Sequence, residues 1–200
     1  MDRAPITTTD WRAELPVLAA RMVTLREPIV SDAGGLVALL ATSDATRFGL
    51  DEVGDVAVRA GIERFAGDRR RGVSFTYAIT VSLSRLVVGL LQVRQLELDF
   101  SVAEWECMLA PSARGTGLFL EAARLAGSFA FGHVGAHRLE ARVPLHNGRA
   151  NGALRKLGAV QEGVLRGSLR SGGELADHVL WSILKEDWGD HWLPVGPRVH

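Results

Sequence analysis

Cysteine occurs once in the 200 residues, as Cys107, so the chain holds no internal disulfide framework and no cysteine-based metal site of its own. That scarcity fits a reducing, cytoplasmic setting. Net charge is missing too, because 23 basic residues balance 23 acidic ones. The balance argues against a dedicated nucleic-acid binder, which needs a basic excess on one face. It leaves room for a local pocket that grips a small anion. Long apolar runs are absent, and those present are strand-length or broken by Gly and Arg, far short of the roughly 20 residues that cross a bilayer. The opening segment, Met1 to Trp11, is polar and lacks the apolar stretch of a secretory signal. Lysine appears only as Lys156 and Lys185, against 21 arginines, which reads as genomic base bias rather than function.

What is present is enough for one core. At 47% hydrophobic, a chain this long buries roughly 70% of its unfolded surface without a disulfide or metal staple. Residues 1–20, with Pro5, a threonine run and Pro16, read as a loosely attached lead-in. A single domain is expected over 21–188, with a tail over 189–200. Met22 to Arg26 alternates as a first strand. Ser31-Asp32 supplies a cap for a helix through Leu36 and Leu40, and Val56 to Asp68 forms a second helix. Arg69-Arg70-Arg71 then reads as its solvated end, favoured by the C-terminal dipole.

From Ser74 the period becomes two. Strands are expected at Phe75–Ile79, Leu86–Leu96 and Val102–Leu109, with Leu83-Ser84-Arg85 as a turn and antiparallel pairing throughout. Leu118, Ala122, Leu125, Ala126 and Phe129 recur with helical spacing. A strand over His137–Val143, a short helix over Asn147–Leu157 and two strands, Val160–Leu169 and Leu175–Leu184, complete a mixed α+β domain. Ser171-Gly172-Gly173 marks the last hairpin.

Chemistry concentrates where the strand ending near Leu109 becomes the helix beginning near Gly117. In Arg114-Gly115-Thr116-Gly117 two glycines allow close backbone approach and aligned N–H groups. The helix start adds about half a positive charge. Such a turn suits a pyrophosphate, yet it lacks the third glycine of a dinucleotide fingerprint and the Lys-Ser/Thr of a P-loop. Taken alone it is equally a plain structural turn.

The flanking residues Ala103-Glu104-Trp105-Glu106-Cys107-Met108-Leu109-Ala110-Pro111 and Glu121-Ala122 extend this motif. Further on stand Asn147, Leu154-Arg155-Lys156-Leu157-Gly158-Ala159, Glu162-Gly163 and Leu165-Arg166. Together they resemble the acetyl-CoA-binding motifs of the GNAT N-acetyltransferases. Thr24-Leu25-Arg26, Asp32-Ala33, Gly173, Asp177-His178 and Glu186-Asp187-Trp188 are similar to the Rim-type branch, which acetylates ribosomal proteins. The resemblance covers about residues 22–188. It implies a mostly antiparallel sheet of about seven strands with about four helices, splayed where two parallel neighbours part. Acetyl-CoA as co-substrate would lie against the backbone of Met108, Leu109 and Ala110. Its pyrophosphate would sit on the N–H groups of Arg114, Gly115, Thr116, Gly117 and Leu118, and Asn147 would hold the pantetheine. No metal, membrane or nucleic-acid partner is implied, and the protein would be a monomer or homodimer.

The reaction implied is direct attack of an amine on the thioester, with no acyl-enzyme. Deprotonating a lysine at neutral pH costs roughly 4 kcal/mol and an α-amine about 1, so an α-amine, most simply a protein N-terminus, asks least of a base. Glu104 and Glu106 lie two apart and share a strand face. Either carboxylate is a candidate base, with Glu104 preferred for its Ala-Glu-Trp context and a solvated strand face as the plain alternative. Relatives carry a Ser or Tyr to protonate the departing thiolate, where this chain has Ala150 and Leu154. That departure keeps a non-catalytic acyl-CoA-binding module open as a rival, beside an acetyltransferase for a small amine. Cys107 reads as a buried structural thiol, with Glu106 raising its pKa. His133 and His137 read as packing groups, whereas His146 and His178 are expected nearer the substrate. The hydrophobic residues of Ala45–Leu50 and Val53–Phe65 are expected to shape the acceptor side.

Overall fold

In the computed structural model, residues 10–42, 45–50, 52–81, 84, 86–171 and 174–189 are described. Alternating and β-branched residues build one eight-stranded sheet at its centre. Its strands are β1 (Leu18–Ala19), β2 (Val23–Arg26), β3 (Ser74–Val81), β4 (Val87–Gln95), β5 (Val102–Leu109), β6 (Arg138–Pro144), β7 (Val160–Ser171) and β8 (Glu174–Leu184). They lie in the order β1-β2-β3-β4-β5-β6-β8-β7. Every pairing is antiparallel except β5 with β6. The expected mixed sheet is therefore present with one short strand more, β1, whose two residues are too few to show a period. Gly172, Gly173, Leu83 and Arg85, which were expected in turns, lie outside the described residues, as do 190–200 of the expected tail.

Helices α1 (Ala33–Leu40), α2 (Asp55–Arg70), α3 (Leu118–Phe129) and α4 (Gly148–Leu157) cover the sheet. Strand alternation sends Leu90 and Met108 into a cluster with Leu36, Leu40, Ile62 and Phe65 of α1 and α2. Leu91, Val93, Trp105 and Leu109 point the opposite way, into the larger core with α3. Trp105 thus lies opposite the two glutamates, as its position between them requires. Glu121 on α3 accepts the N–H groups of Met22 and Val23 at 2.7 and 3.0 Å, tying the helix to the start of β2.

Three sequence expectations change here. The lead-in is not loose over its described part: Trp11 and Leu15 are buried in the main core, and Trp11 meets Phe75 and Phe100 edge-on at 5.7 and 5.5 Å. Apolar burial outweighs the irregular backbone that the prolines impose. The arginine run is not wholly solvated either. Arg69 is buried, donates to Glu27 Oε1 at 2.7 Å and bonds the Arg12 carbonyl, so it anchors the N-terminal segment to α2. Asp32 stands at the start of α1, but its carboxylate receives Arg26 twice at 2.7 Å and the Ile29 N–H rather than capping the helix.

Trp188 closes the far end of the main core. Its indole donates to Ser128 Oγ at 3.0 Å and meets Trp105 edge-on. A Cβ on Gly127 would stand 2.6 Å from the Trp188 ring, whereas one on Gly132 would meet nothing within 4 Å. Gly127→Ala is expected to cost about 1–3 kcal/mol in urea unfolding by overpacking. Gly132→Ala should stay within about 0.5 kcal/mol. Equal effects would show that Trp188 does not pack there as described.

Candidate active site

Strands β5 and β6 pair only over Val102–Glu104 and Arg138–Glu140. Beyond that point β5 stays bonded to β4 as far as Leu109, and β6 to β8 as far as Pro144. Each strand follows its other neighbour, so the two separate. A cleft of about 200 Å³ fills the opening, lined by Trp105–Cys107 on one side and Ala141–Pro144 on the other, with Asn147, Ala150 and Leu154 from the α4 region. This is the splay that the resemblance implies. No Ser, Thr or Tyr hydroxyl lines it among the described residues. Tyr77, the chain's only tyrosine, is fully buried and donates to the Pro16 carbonyl at 3.2 Å; burial pushes its hydroxyl above the ordinary range.

At the end of β5 the Ala110 N–H bonds to Val88 on β4 at 2.8 Å. Strand alternation therefore turns the Leu109 peptide groups toward the opening. The Leu109 carbonyl accepts Arg114 Nε at 3.0 Å, and Thr116 Oγ1 donates to Ala113 at 2.7 Å, which fixes the turn. Gly115 and Gly117 have φ of +82° and +91°, a region that costs a side-chain-bearing residue energy. No side chain caps the first N–H groups of α3 among the described residues. Space over Gly115 is open, and a Cβ there would meet nothing within 4 Å. This cradle fits a diphosphate. Asn147 caps α4 by accepting the Ala150 N–H at 3.1 Å, so its remaining polar function toward the cleft is the amide NH₂.

The opposite face of the sheet carries charge. Glu104 is 5% exposed, and both its oxygens are engaged. Oε2 receives Arg94 Nε at 2.8 Å and Arg94 Nη2, while Oε1 receives Arg142 Nη1 at 2.5 Å. Arg142 reaches on to Glu140, Glu140 accepts Arg138, and Arg138 makes a fork with Glu162. Charges thus alternate across four strands in a chain whose six members sum to zero. Arg138 and Ser182 hold the Glu162 carboxyl down at about 2.

Glu106 stands apart from that ladder. Among the described residues only Arg47 Nη2 bonds it, through Oε2, and Arg47 Nη2 also donates to the Arg142 carbonyl at 3.0 Å. Burial pushes the Glu106 carboxyl up to about 7, against the pull of Arg47, and the Glu104 charge adds to the rise. Arg47 and Glu106 line the first cleft and also a second one, of about 270 Å³, with Gln92, Arg94, Glu104 and Arg170. They form the boundary at which the two clefts meet.

Several sequence candidates move. Glu104, preferred as base, is a ladder member with no oxygen to spare. In the segment Ala45–Leu50, the hydrophobic residues Ala45, Phe48 and Leu50 are buried in the second core cluster, and Thr46 and Arg47 face the clefts instead. His178 is fully buried; its Nδ1 contacts the Ala176 carbonyl and Ser168 Oγ at 2.9 and 3.3 Å, and it lines neither cleft. His146 is exposed and also lines neither. His133 stacks on Phe129 at 5.6 Å. Burial and the neighbouring Glu106 push the Cys107 thiol above its ordinary range, which suits an inert structural group. Sequence reading passed over Arg47, Arg142 and Asn151. The last is a buried amide that donates to the Pro144 and Asn147 carbonyls and accepts the Trp181 indole at 2.8 Å. Only the spacing of Arg138, Glu140 and Arg142 signalled a charged strand face.

Comparison with known proteins agrees with this geometry. Residues 22–160 match the acetyltransferase (GNAT) domain family. A Bacillus subtilis (strain 168) protein described as "Probable N-acetyltransferase YjcK" is 32% identical over 108 residues, covering 54% of this chain and 55% of that protein. The match thus spans about half the length of this relative. Mycobacterium smegmatis RimJ in complex with CoA-disulfide superposes with a TM-score of 0.77 at 21% identity, over 89% of this chain and 90% of that one. Microcin C7 self-immunity acetyltransferase MccE, in complex with acetyl-CoA and AMP, gives 0.69 at 17% identity, over 82% and 92%. At such identities the two structures share the fold. The splayed strands, the glycine cradle and the matched domain together establish that the chain belongs to the GNAT acetyltransferase family.

Proposed function

We propose that this protein is an acetyl-CoA-dependent N-acetyltransferase whose acceptor is the α-amine of a protein N-terminus. The observation that carries the reading is the meeting of two clefts at the Arg47–Glu106 pair. The first is read as the donor cleft: the Leu109 peptide groups meet the pantetheine as an added strand would, the α3 start and glycine turn take the pyrophosphate, and the Asn147 amide donates to the arm. The second is read as the acceptor cleft. Acetyl-CoA supplies the acetyl group as a thioester; the new C–N bond replaces the C–S bond.

The base in this reading is Glu106 rather than Glu104. Its Oε1 takes the amine proton, and a carboxyl poised at about 7 is matched to the working pH. Arg47 stands beside it as the guanidinium common to both clefts, favouring negative charge that develops at the thioester. With Ala150 and Leu154 lining the donor cleft and no side-chain hydroxyl lining it among the described residues, the proton carried by Glu106 is the source for the leaving thiolate. RimJ supports the protein-acceptor reading by its fold, and MccE keeps a small-molecule amine as the second.

The test is thiol release. Incubation with acetyl-CoA and a panel of N-terminal peptides, polyamines and aminoglycosides should liberate free CoA with at least one peptide, well above hydrolysis. Stabilisation by CoA with no release for any amine would leave a binding module instead. Absence of CoA binding would remove the donor-cleft reading altogether.

A further inference from the structure

We infer that Gln92 selects primary amines: its amide oxygen holds the N–H that such an amine keeps through the reaction, and secondary amines and alcohols are disfavoured. This rests on the second cleft being the acceptor site. Gln92 lines that cleft together with Glu106 and is 9% exposed. The register sets it directly between Thr76 of β3 and Glu106 of β5, on one face of the sheet. Side chains paired in this way stand about 4.5–5.5 Å apart at Cβ. Gln92 Nε2 donates to Thr76 Oγ1 at 2.9 Å, out of solvent. With its nitrogen held on the β3 side, the planar amide turns its oxygen toward the β5 side, where Glu106 stands. Among the described residues nothing bonds Gln92 Oε1 or Glu106 Oε1. Two neighbouring oxygens are therefore left to accept hydrogens in this cleft.

A neutral primary amine matches them. Its lone pair attacks the thioester carbon, so that the C–N bond forms and the C–S bond breaks. One N–H proton passes to Glu106 Oε1 and on to the CoA sulfur. The other N–H stays on the product amide, and Gln92 Oε1 accepts it throughout. A carboxamide cannot take that proton itself, so Gln92 orients the nitrogen and leaves the proton transfer to Glu106. A secondary amine or an alcohol brings a single hydrogen, which the base removes. Gln92 Oε1 is then left unpaired inside the occupied cleft, which weakens binding about tenfold or more.

Thiol release with an N-terminal alanine peptide and with its N-methyl counterpart tests this. The proteins compared are the native chain, Gln92→Met, and Gln92→Met combined with Thr76→Val. Methionine keeps the bulk and removes the acceptor, and the combined variant leaves no stranded hydroxyl on β3. The native protein should favour the primary amine about tenfold or more in kcat/KM. In both variants the primary-amine rate should fall about tenfold while the N-methyl rate holds, bringing the ratio toward one. Equal native rates or a ratio that survives the variants would overturn the inference. So would variants that speed the N-methyl peptide, because that marks a steric wall rather than a hydrogen bond. Product binding gives a readout apart from catalysis, since the acetylated alanine peptide keeps its N–H and the acetylated N-methyl peptide has none. Calorimetry on the CoA-loaded protein should give the first about tenfold the affinity of the second, and equal affinities in Gln92→Met. Should no amine release thiol, the proposed activity fails by itself, and this binding order alone decides for or against Gln92.

Discussion

Glu106→Gln is expected to lower kcat/KM about 10²–10⁴-fold, the range of general-base assistance, without loss of CoA binding. Its pH signature is specific. In the native protein kcat/KM should rise with pH through about 7 as Glu106 ionises, and then further as an α-amine near 8 loses its proton. In Glu106→Gln the first rise disappears and the second remains. Stability provides an independent check of the same carboxyl. Burial raises its folded value from 4.5 to about 7, so the folded state holds the proton more tightly than the unfolded chain. Stability should fall as pH rises across that window, and the slope should vanish in Glu106→Gln. An unchanged rate profile in the variant would remove Glu106 as the base.

The second large effect is expected in stability rather than in chemistry. Glu104→Gln leaves the buried centre of the ladder with one neutral group facing Arg94 and Arg142. Removing one partner of a buried ion pair costs about 3–5 kcal/mol. The lower end applies here, because Arg94 is 57% exposed and can rehydrate. A loss of about 3 kcal/mol in urea unfolding is expected, while the rise in kcat/KM near pH 7 persists. The reverse pattern, full stability with an abolished limb near pH 7, would make Glu104 the base after all. The two neighbouring glutamates thus separate by readout, one through rate and one through stability.

Why the sequence reading preferred Glu104 to Glu106 is a question of range. The shared face of Glu104 and Glu106, the opposed Trp105, the glycine turn and the amphipathic α3 all follow from local period and spacing, and the structure has them. Arg47 bonds Glu106 across 59 positions and Arg142 bonds Glu104 across 38. No local pattern announces such partners. Trp11 is similar: its segment looks irregular because its order comes from Phe75 and Phe100, far along the chain. Arg69 looks like one third of a solvated cluster until Glu27 and the Arg12 carbonyl are placed beside it.

The central claim is that donor and acceptor meet at Arg47 and Glu106. A crystal structure with a bisubstrate analogue, CoA joined through an acetyl bridge to the α-amine of a peptide, tests it most directly. The bridging nitrogen should lie within hydrogen-bond reach of Glu106 Oε1, with the pyrophosphate on the N–H groups following Arg114. A bridge seated against another carboxylate, or away from the Arg47–Glu106 boundary, would contradict it.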